Sequence, residues 1–518
     1  MARYKPYDYD QLMMVPVSLE DQLVPGTLEY AIHHVVEERL DLNVFDERYN
    51  NDETGRRAIA PKVLLKIVLF GYSRGLTSSR SLEQACNENV TFMALTCGQK
   101  PDHSTIAGFV SLIDKGVEAL FTQVLLVCDD EGLLGGTHFS LDGLKLPSNA
   151  SKEWSGTFED LHKKHEALKR KVKEAVREHR AADKREGKKR SDSDRQKRQK
   201  RIKRLKQKAE RIEAFLAENE PKKGARDKET QSNVTDNESA KMVSSHGVIQ
   251  GYNANAVVDE KTQVVVHPQV FGEGEDHEHM APMLEGAKER LESAGWEDPL
   301  KDKEVSADTS YYSVENLETC RDQEVDGYIP DPQFRKRDIR FVDARRHRRS
   351  VDKRHERYKS KKRWFTPDDF TLDDRTGKLI CPAGKGLYVK NRNFEINGEK
   401  YIAYQAPKNA CCGCALRSKC LRSPKTTSRQ VYVFRERRPG SLTDAMKQKI
   451  DTPEGRAKYG KRLAIVEPVF GNIRACKKMN RFTLRGRSKV NIQWMLYCLV
   501  HNIEKIANFG CSYGTATT

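Results

Sequence analysis

No stretch of this 518-residue chain approaches ~18 uninterrupted apolar residues, so no membrane-spanning helix is expected. The first ten residues, Met-Ala-Arg-Tyr-Lys-Pro-Tyr-Asp-Tyr-Asp, lack the apolar core of a secretory signal. Acidic residues are in deficit: 75 Asp and Glu face 92 Lys and Arg, for a formal charge of +17 and a pI near 9.2. That balance favours a polyanionic partner, nucleic acid before a membrane surface. Twelve cysteines without a secretory signal point to a reducing compartment, with thiols free or on metal. A soluble, cytoplasmic protein of two or three domains is expected.

The most informative segment is residues 459–474, Tyr-Gly-Lys-Arg-Leu-Ala-Ile-Val-Glu-Pro-Val-Phe-Gly-Asn-Ile-Arg. It sets one carboxylate, Glu467, among apolar neighbours and between two cations, Arg462 and Arg474. On a regular helix Glu467 and Arg474 would lie two turns apart on one face. A carboxylate flanked by cations suits a site that holds a divalent metal and a phosphate backbone, although a helix with a surface salt bridge has the same pattern. Pro468 is poorly tolerated inside a helix, which predicts Glu467 in a first turn or at a kink, and a first turn would aim the helix's positive end at phosphate.

Two further carboxylates stand at strand positions. Asp142 lies in Thr-His-Phe-Ser-Leu-Asp-Gly-Leu-Lys-Leu, whose apolar and β-prone residues read as a buried strand. Asp308 lies in Glu-Val-Ser-Ala-Asp-Thr-Ser-Tyr-Tyr, a short strand ending in an acid and a turn. Each alone could be a turn former.

Together these segments resemble the DDE transposases of bacterial insertion sequences, in the group marked by a Tyr-Arg-Glu-Lys/Arg signature. Residues 61–113, with Ser78-Ser79-Arg80-Ser81-Leu82-Glu83 and Pro101-Asp102-His103-Ser104-Thr105-Ile106, look like the N-terminal domain of these enzymes. Asp142-Gly143, Ala307-Asp308-Thr309-Ser310-Tyr311 and Val466-Glu467-Pro468-Val469-Phe470-Gly471 look like the three catalytic blocks. The resemblance implies a ribonuclease-H-like α/β core and a triad of Asp142, Asp308 and Glu467, with Tyr459, Arg462 and Arg474 contacting phosphates around the scissile bond. One departure is visible: four residues separate Arg462 from Glu467, where the commonest form of the signature has three. In that fold the first and fourth strands are neighbours, which would bring Asp142 and Asp308 together.

The organisation around these blocks predicts a helical N-terminal DNA-binding domain over 1–130 and a ribonuclease-H-like domain over 131–332 and 429–510. Leu28, Ile32, Val35, Val36 and Leu40 keep helical spacing, Pro61 opens a second helix, a capping box fits Ser81 to Gln84, and Asp102 can cap a further helix. Short helices around tight turns are compatible with a helix-turn-helix reader, or with a plain packing domain. Residues 152–240 read as a basic coiled-coil hairpin inserted after the Asp142 strand. Phe158, Leu161, His165, Leu168, Val172, Ala175 and His179 step by threes and fours, and so do Ile202, Leu205, Ala209, Ile212 and Leu216. This arm could grip DNA or dimerise, or be only a solvated hairpin; residues 221–239 read as a flexible return. Beyond it, residues 248–258 and 263–271 read as a β-hairpin, followed by an amphipathic helix carrying Met280, Met283, Leu284, Ala287 and Leu291.

Residues 333–428 form a second predicted insertion. Its first part is densely basic, including Arg348, Arg349, Lys361, Lys362 and Arg363, with Tyr358, Trp364 and Phe365 available to stack on bases. Its second part carries Cys381, Cys411, Cys412, Cys414 and Cys420. The two-residue separation of Cys411 and Cys414 lets both thiolates reach one tetrahedral metal, with Cys381 and Cys420 completing a structural zinc site and Cys412 competing for one position. The other seven cysteines read as core.

For the carboxylate triad, oxygen-only ligation favours two Mg²⁺ or Mn²⁺ ions. The implied chemistry is cleavage at the element's ends and attack of the freed 3′-hydroxyl on target DNA, by two-metal phosphoryl transfer. Double-stranded DNA, both element ends and target, is the expected partner, bound by a homodimer as in the family. Two alternatives stay open: a metal-dependent nuclease that does not join, and a DNA-binding descendant with an inactive site.

Overall fold

The structure, a computed structural model, describes residues 18–48, 58–113, 116–186, 192–224, 228–244, 247–338, 364–373, 375–396, 399–423, 425–434 and 441–513. The chain divides into two compact units, one of residues 1–306 and 461–518, the other of residues 307–460.

The first unit begins with short helices. Helix α1 (Leu28–His34) is capped by Thr27, whose hydroxyl accepts from the Tyr30 amide at 3.3 Å, and it runs into a π-helical segment, Val35–Arg39. Helix α2 (Pro61–Ser73) starts on its proline and buries every residue from 63 to 72. It is therefore a central helix, hydrophobic on all sides. Even Lys66 is buried there, held by Glu37 at 2.9 Å. Helices α3 (Ser79–Glu88), α4 (Val90–Leu95), α5 (His103–Leu112) and α6 (Val117–Asp130) follow. Asp102 caps α5 as expected, accepting from the Thr105 amide at 2.7 Å. The box expected at Ser81 does not form, because α3 starts earlier, at Ser79 with Ser78 as its N-cap.

Next comes strand β1 (His138–Pro147), which carries Asp142. Helices α7 (Phe158–Glu186) and α8 (Asp192–Glu218) then pack antiparallel, Leu161 near the start of α7 meeting Ile212 and Phe215 near the end of α8. The segment after α8 was expected to be loose, but much of it is locked. Strand β2 (Ser155–Gly156) pairs with β3 (Ser232–Asn233), and Ser232, Asn233, Asp236 and Ser239 are buried. The Asn233 side chain accepts from the Thr235 and Asp236 amides, and Asp236 accepts from the Tyr252 hydroxyl at 2.7 Å. Its polar composition satisfies a buried network rather than solvent.

Strand β5 (Gly247–Asp259) is the spine of the main sheet. One edge pairs antiparallel with β1, setting Asp142 opposite Ala256. Its other edge takes β4 (Ala240–Ser244) and then β6 (Val265–Phe271), both antiparallel. Helix α9 (Met280–Ser293) packs on β5 and β6 and leads to β7 (Glu304–Ala307), the neighbour of β1 on its far edge. The run β6-β5-β1-β7 thus places the fourth of these strands, in chain order, beside the first.

In the second unit, α10 (Val314–Asp322), β8 (Asp326–Tyr328) and α11 (Phe334–Arg337) are followed by an antiparallel sheet that the sequence reading did not foresee. It consists of β9 (Thr371–Asp373), β10 (Lys378–Ile380), β11 (Gly386–Ile396), β12 (Glu399–Gln405) and β13 (Gln430–Phe434), in the order β13-β12-β11-β10-β9. Its small core holds Phe370, Leu379, Leu387, Tyr404, Ala406 and Val431. Between β12 and β13 lie two short helices, α12 (Lys408–Cys412) and α13 (Arg417–Cys420).

Helix α14 (Leu442–Asp451) precedes α15 (Pro453–Gly471), and the chain closes in the first unit with α16 (Arg487–Phe509). Helix α16 buries most of its residues against β6, α6, α2 and α1. Trp494 donates from its indole to the Asn255 carbonyl at 2.9 Å, and the Asn502 amide brackets Val265, bonding both its N–H and its C=O at 2.8 Å. Among the described residues, no helix is long and apolar enough to cross a membrane.

Candidate active site

Strand β1 turns a polar row, His138, Ser140 and Asp142, to one face by its two-residue alternation. Ser306 of β7 meets this row, its hydroxyl 2.7 Å from that of Ser140 and 2.9 Å from His138 Nε2. His138 also has Glu260 at 3.2 Å and Glu304 at 3.7 Å. Burial pulls the His138 pKa down, while the two carboxylates pull it up. This zipper fixes β7 against β1. The sequence reading missed it, although polar residues at every second position of an otherwise apolar strand were a usable signal.

Asp142 is the last of that row. Its Oδ1 accepts from the Gly143 amide at 2.8 Å, and its Oδ2 accepts from Arg462 Nη1 of α15. The Asp142 side chain is 18% exposed and that of Arg462 only 7%, so the pair is largely desolvated. Gly143 is required by the opposite face of the sheet. A Cβ there would stand 2.5 Å from Asn255 Oδ1 and 2.6 Å from Asn253 Oδ1. The Asp-Gly pair is thus a strand feature set by packing, not a turn.

Glu467 sits on α15 as well, but not in a first turn. The helix runs from 453 to 471 with Pro468 inside it, which rules out the first-turn position and with it a helix N-terminus aimed at phosphate. Pro468 has no N–H to offer the carbonyl four residues back, that of Ala464. Gln263 supplies the missing donor, its Nε2 lying 3.0 Å from the Ala464 oxygen. Glu467 is exposed, in the last turn but one. After Gly471 the backbone widens into a π-helical segment, Asn472–Cys476, which contains the half-buried Arg474. The spacing from Glu467 to Arg474 is therefore not that of a regular α-helix.

In the second unit, Asp308 follows the last residue of β7 and caps a short 3-10 turn, Thr309–Tyr311, accepting from the Thr309 amide at 2.7 Å. Tyr459 stands edge-on to Phe334, with ring centroids 5.3 Å apart, beside Tyr328 and Ile450. Arg348, Arg349, Lys361, Lys362 and Arg363 lie outside the described residues. The structure thus joins Asp142 to Arg462, while Asp308 and Tyr459 belong to the other compact unit.

The cysteines sort clearly. Cys381, Cys411, Cys414 and Cys420 line one small apolar cavity of about 30 Å³, together with Phe365 and Leu387. Exposed Cys412 is not among its lining residues. Cys381 Sγ accepts from the Lys385 amide at 3.3 Å across a tight turn in which Gly384 takes φ +72°. Burial raises the Cys420 thiol pKa, and Cys411, Cys381 and Cys414 push it further up, opposed by Arg429. Among the described residues, however, no three His, Cys, Asp or Glu side chains stand ready as a group to hold a metal ion. Of the remaining cysteines, Cys86, Cys128, Cys320 and Cys498 are core, but Cys97, Cys476 and Cys511 are exposed, against expectation.

Two family models match this sequence. One, described as a transposase DDE domain, covers residues 380–507. The other, described as a transposase domain (DUF772), covers residues 17–112. The first includes Tyr459, Arg462, Glu467 and Arg474 but neither Asp142 nor Asp308. No curated protein and no solved structure gives a significant match.

Proposed function

Because the chain belongs to the DDE transposases of insertion sequences, we propose that it binds its element's terminal repeats, cuts DNA at the ends and joins the 3′ ends to target DNA. The observation that carries this reading is the Arg462–Asp142 pair, which couples a carboxylate of the central strand to the helix bearing Glu467. The strand order β6-β5-β1-β7, with Asp308 following β7, supports a ribonuclease-H-like core.

Asp142, Asp308 and Glu467 would hold Mg²⁺ or Mn²⁺, their oxygens being the ligands these hard cations prefer. Bound there, the ions would activate the attacking water or 3′-hydroxyl and stabilise the leaving oxygen. The protein's own part is positional. Arg462 holds Asp142 in place in a largely desolvated pair. Arg474 and Tyr459 would contact phosphates beside the scissile bond. A homodimer would hold two ends in one complex. Cys381, Cys411, Cys414 and Cys420 would bind one structural Zn²⁺, since thiolate ligands suit that ion and the Lys385 amide already faces the Cys381 sulfur. The ion would have to draw the four thiols closer.

The test is incubation of the full-length protein with labelled element-end DNA in Mg²⁺, Mn²⁺ or EDTA. Metal-dependent nicking at the element boundary, followed by strand-transfer products, is expected. Cleavage without joining would reduce the protein to a nuclease, and binding without cleavage in any metal would mark an inactive descendant.

A further inference from the structure

We propose that the exposed face of α8 is a duplex-DNA arm that grips phosphates without reading sequence. From Arg195 to Lys208 the helix carries nine Lys or Arg and no Asp or Glu. At ~1.5 Å per residue those fourteen residues span about 21 Å, roughly one positive charge per 2.3 Å. B-form DNA carries one negative charge per about 1.7 Å of axis, so the run reaches roughly three-quarters of that linear density with the opposite sign.

The cations are turned outward. Lys197, Lys200, Arg201, Lys203, Arg204, Lys206 and Lys208 are all exposed. Lys197, Arg201, Arg204 and Lys208 step by four, three and four, and so form one stripe beside the seam with α7. The seam itself is anchored at the other end of the hairpin. Leu161, Ile212, Phe215 and Val234 make its buried cluster, with Trp154, Phe158, Leu168 and Leu216 packed around it. The basic stripe lies N-terminal to that anchor on α8, where, among the described residues, the buried apolar side chains of the seam are Ala175 and Ala209. Lys197 has an i,i+3 ion pair with Asp194 at 3.5 Å, but so many like charges on one helix repel one another and weaken it. A polyanion removes that cost.

Duplex DNA is favoured over single strands by what the run lacks. Residues 192–210 contain no aromatic side chain, so there is no platform on which unpaired bases could stack. The inference deepens the DNA-binding reading above and rests on it.

The test uses the full-length protein with Lys197, Arg201, Arg204 and Lys208 all changed to Gln. Fluorescence anisotropy would follow a random-sequence duplex and a single strand of equal length between 50 and 200 mM salt. Wild type should prefer the duplex. The quadruple variant, with unchanged far-UV circular dichroism, should bind the duplex at least about tenfold more weakly, and its slope of log K against log salt should fall by about 3–4, near 0.9 per lost phosphate contact. An unchanged affinity and slope would overturn the proposal. So would a variant that merely shifts from dimer to monomer in sedimentation while its salt slope stays the same. Metal-dependent end cleavage by the wild type, read in parallel, separates the two failures: it can be present with no role for α8, or absent while α8 still binds duplex.

Discussion

Arg462 Nη1 donates to Asp142 Oδ2, joining a helix to the central strand through a pair of which the arginine side chain is only 7% and the aspartate 18% exposed. Breaking one partner of such a pair strands the other's charge. Arg462→Met should therefore lower unfolding stability by about 1–3 kcal/mol, discounted from the fully buried case because Asp142 is partly wet. Asp142→Asn keeps an acceptor for the arginine and should cost less. Urea titration of both variants checks the ranking, and an Arg462→Met protein as stable as wild type would contradict it.

Gln263, Ala464 and Pro468 act as a unit, since the side chain of the first replaces the amide that the last lacks. Gln263→Ala should cost about 0.5–1 kcal/mol, a modest figure because the carbonyl can find water. In a Pro468→Ala background the new backbone N–H can serve Ala464, and the cost of Gln263→Ala should shrink. A double-mutant cycle with no coupling would remove this account of how α15 tolerates its proline.

Two buried histidines of the first unit predict acid sensitivity. Burial lowers His267 to about 3, with Arg290 adding to the effect, and burial lowers His501 likewise to about 3. His501 is held neutral between the Gln263 carbonyl at 2.9 Å and the Asn472 amide at 3.1 Å. Their folded pKa values lie below the unfolded value near 6.5, so the unfolded chain binds more protons. Their contribution is complete above about pH 6.5 and is lost as pH falls towards 3. At pH 5 each should have cost up to about 2 kcal/mol, from ~1.36 kcal/mol per unit. Thermal melts between pH 7 and 5 should fall steadily, and His501→Gln should flatten the fall; a pH-independent melting temperature would contradict this.

The four cysteines around one cavity give a stoichiometric prediction. Purified protein should carry about one zinc per chain; Cys411→Ser should lose it and Cys412→Ser should keep it, because Cys411 lines the cavity and Cys412 does not. Elemental analysis by mass spectrometry decides, and retention of zinc by Cys411→Ser would reverse the choice of ligand.

Much of this was legible because local chemistry carried it. The strand around Asp142, the hairpin periodicities, the Asp102 cap and the cysteine spacing all depend on neighbours within a few residues. What failed depended on partners far along the chain. Pro468 reads as a helix breaker until Gln263, about two hundred residues earlier, is seen to satisfy the stranded carbonyl. Residues 221–239 read as a flexible return because their polarity could not reveal Tyr252 as the partner of Asp236. The β9–β13 sheet was hidden by short strands and a small core in a segment dominated by charge. Arg462 was visible as a cation near Glu467, but not as the partner of Asp142.

The central claim is that Asp142, Asp308 and Glu467 form one catalytic set. The direct measurement is single-turnover cleavage of labelled element-end DNA in Mn²⁺ by Asp142→Asn, Asp308→Asn and Glu467→Gln, with duplex binding measured on the same samples. Each substitution should reduce cleavage at least about a thousandfold, as expected for loss of an essential ligand, while binding stays within about twofold. Wild-type cleavage retained by any one of the three would remove that residue from the set and contradict the account.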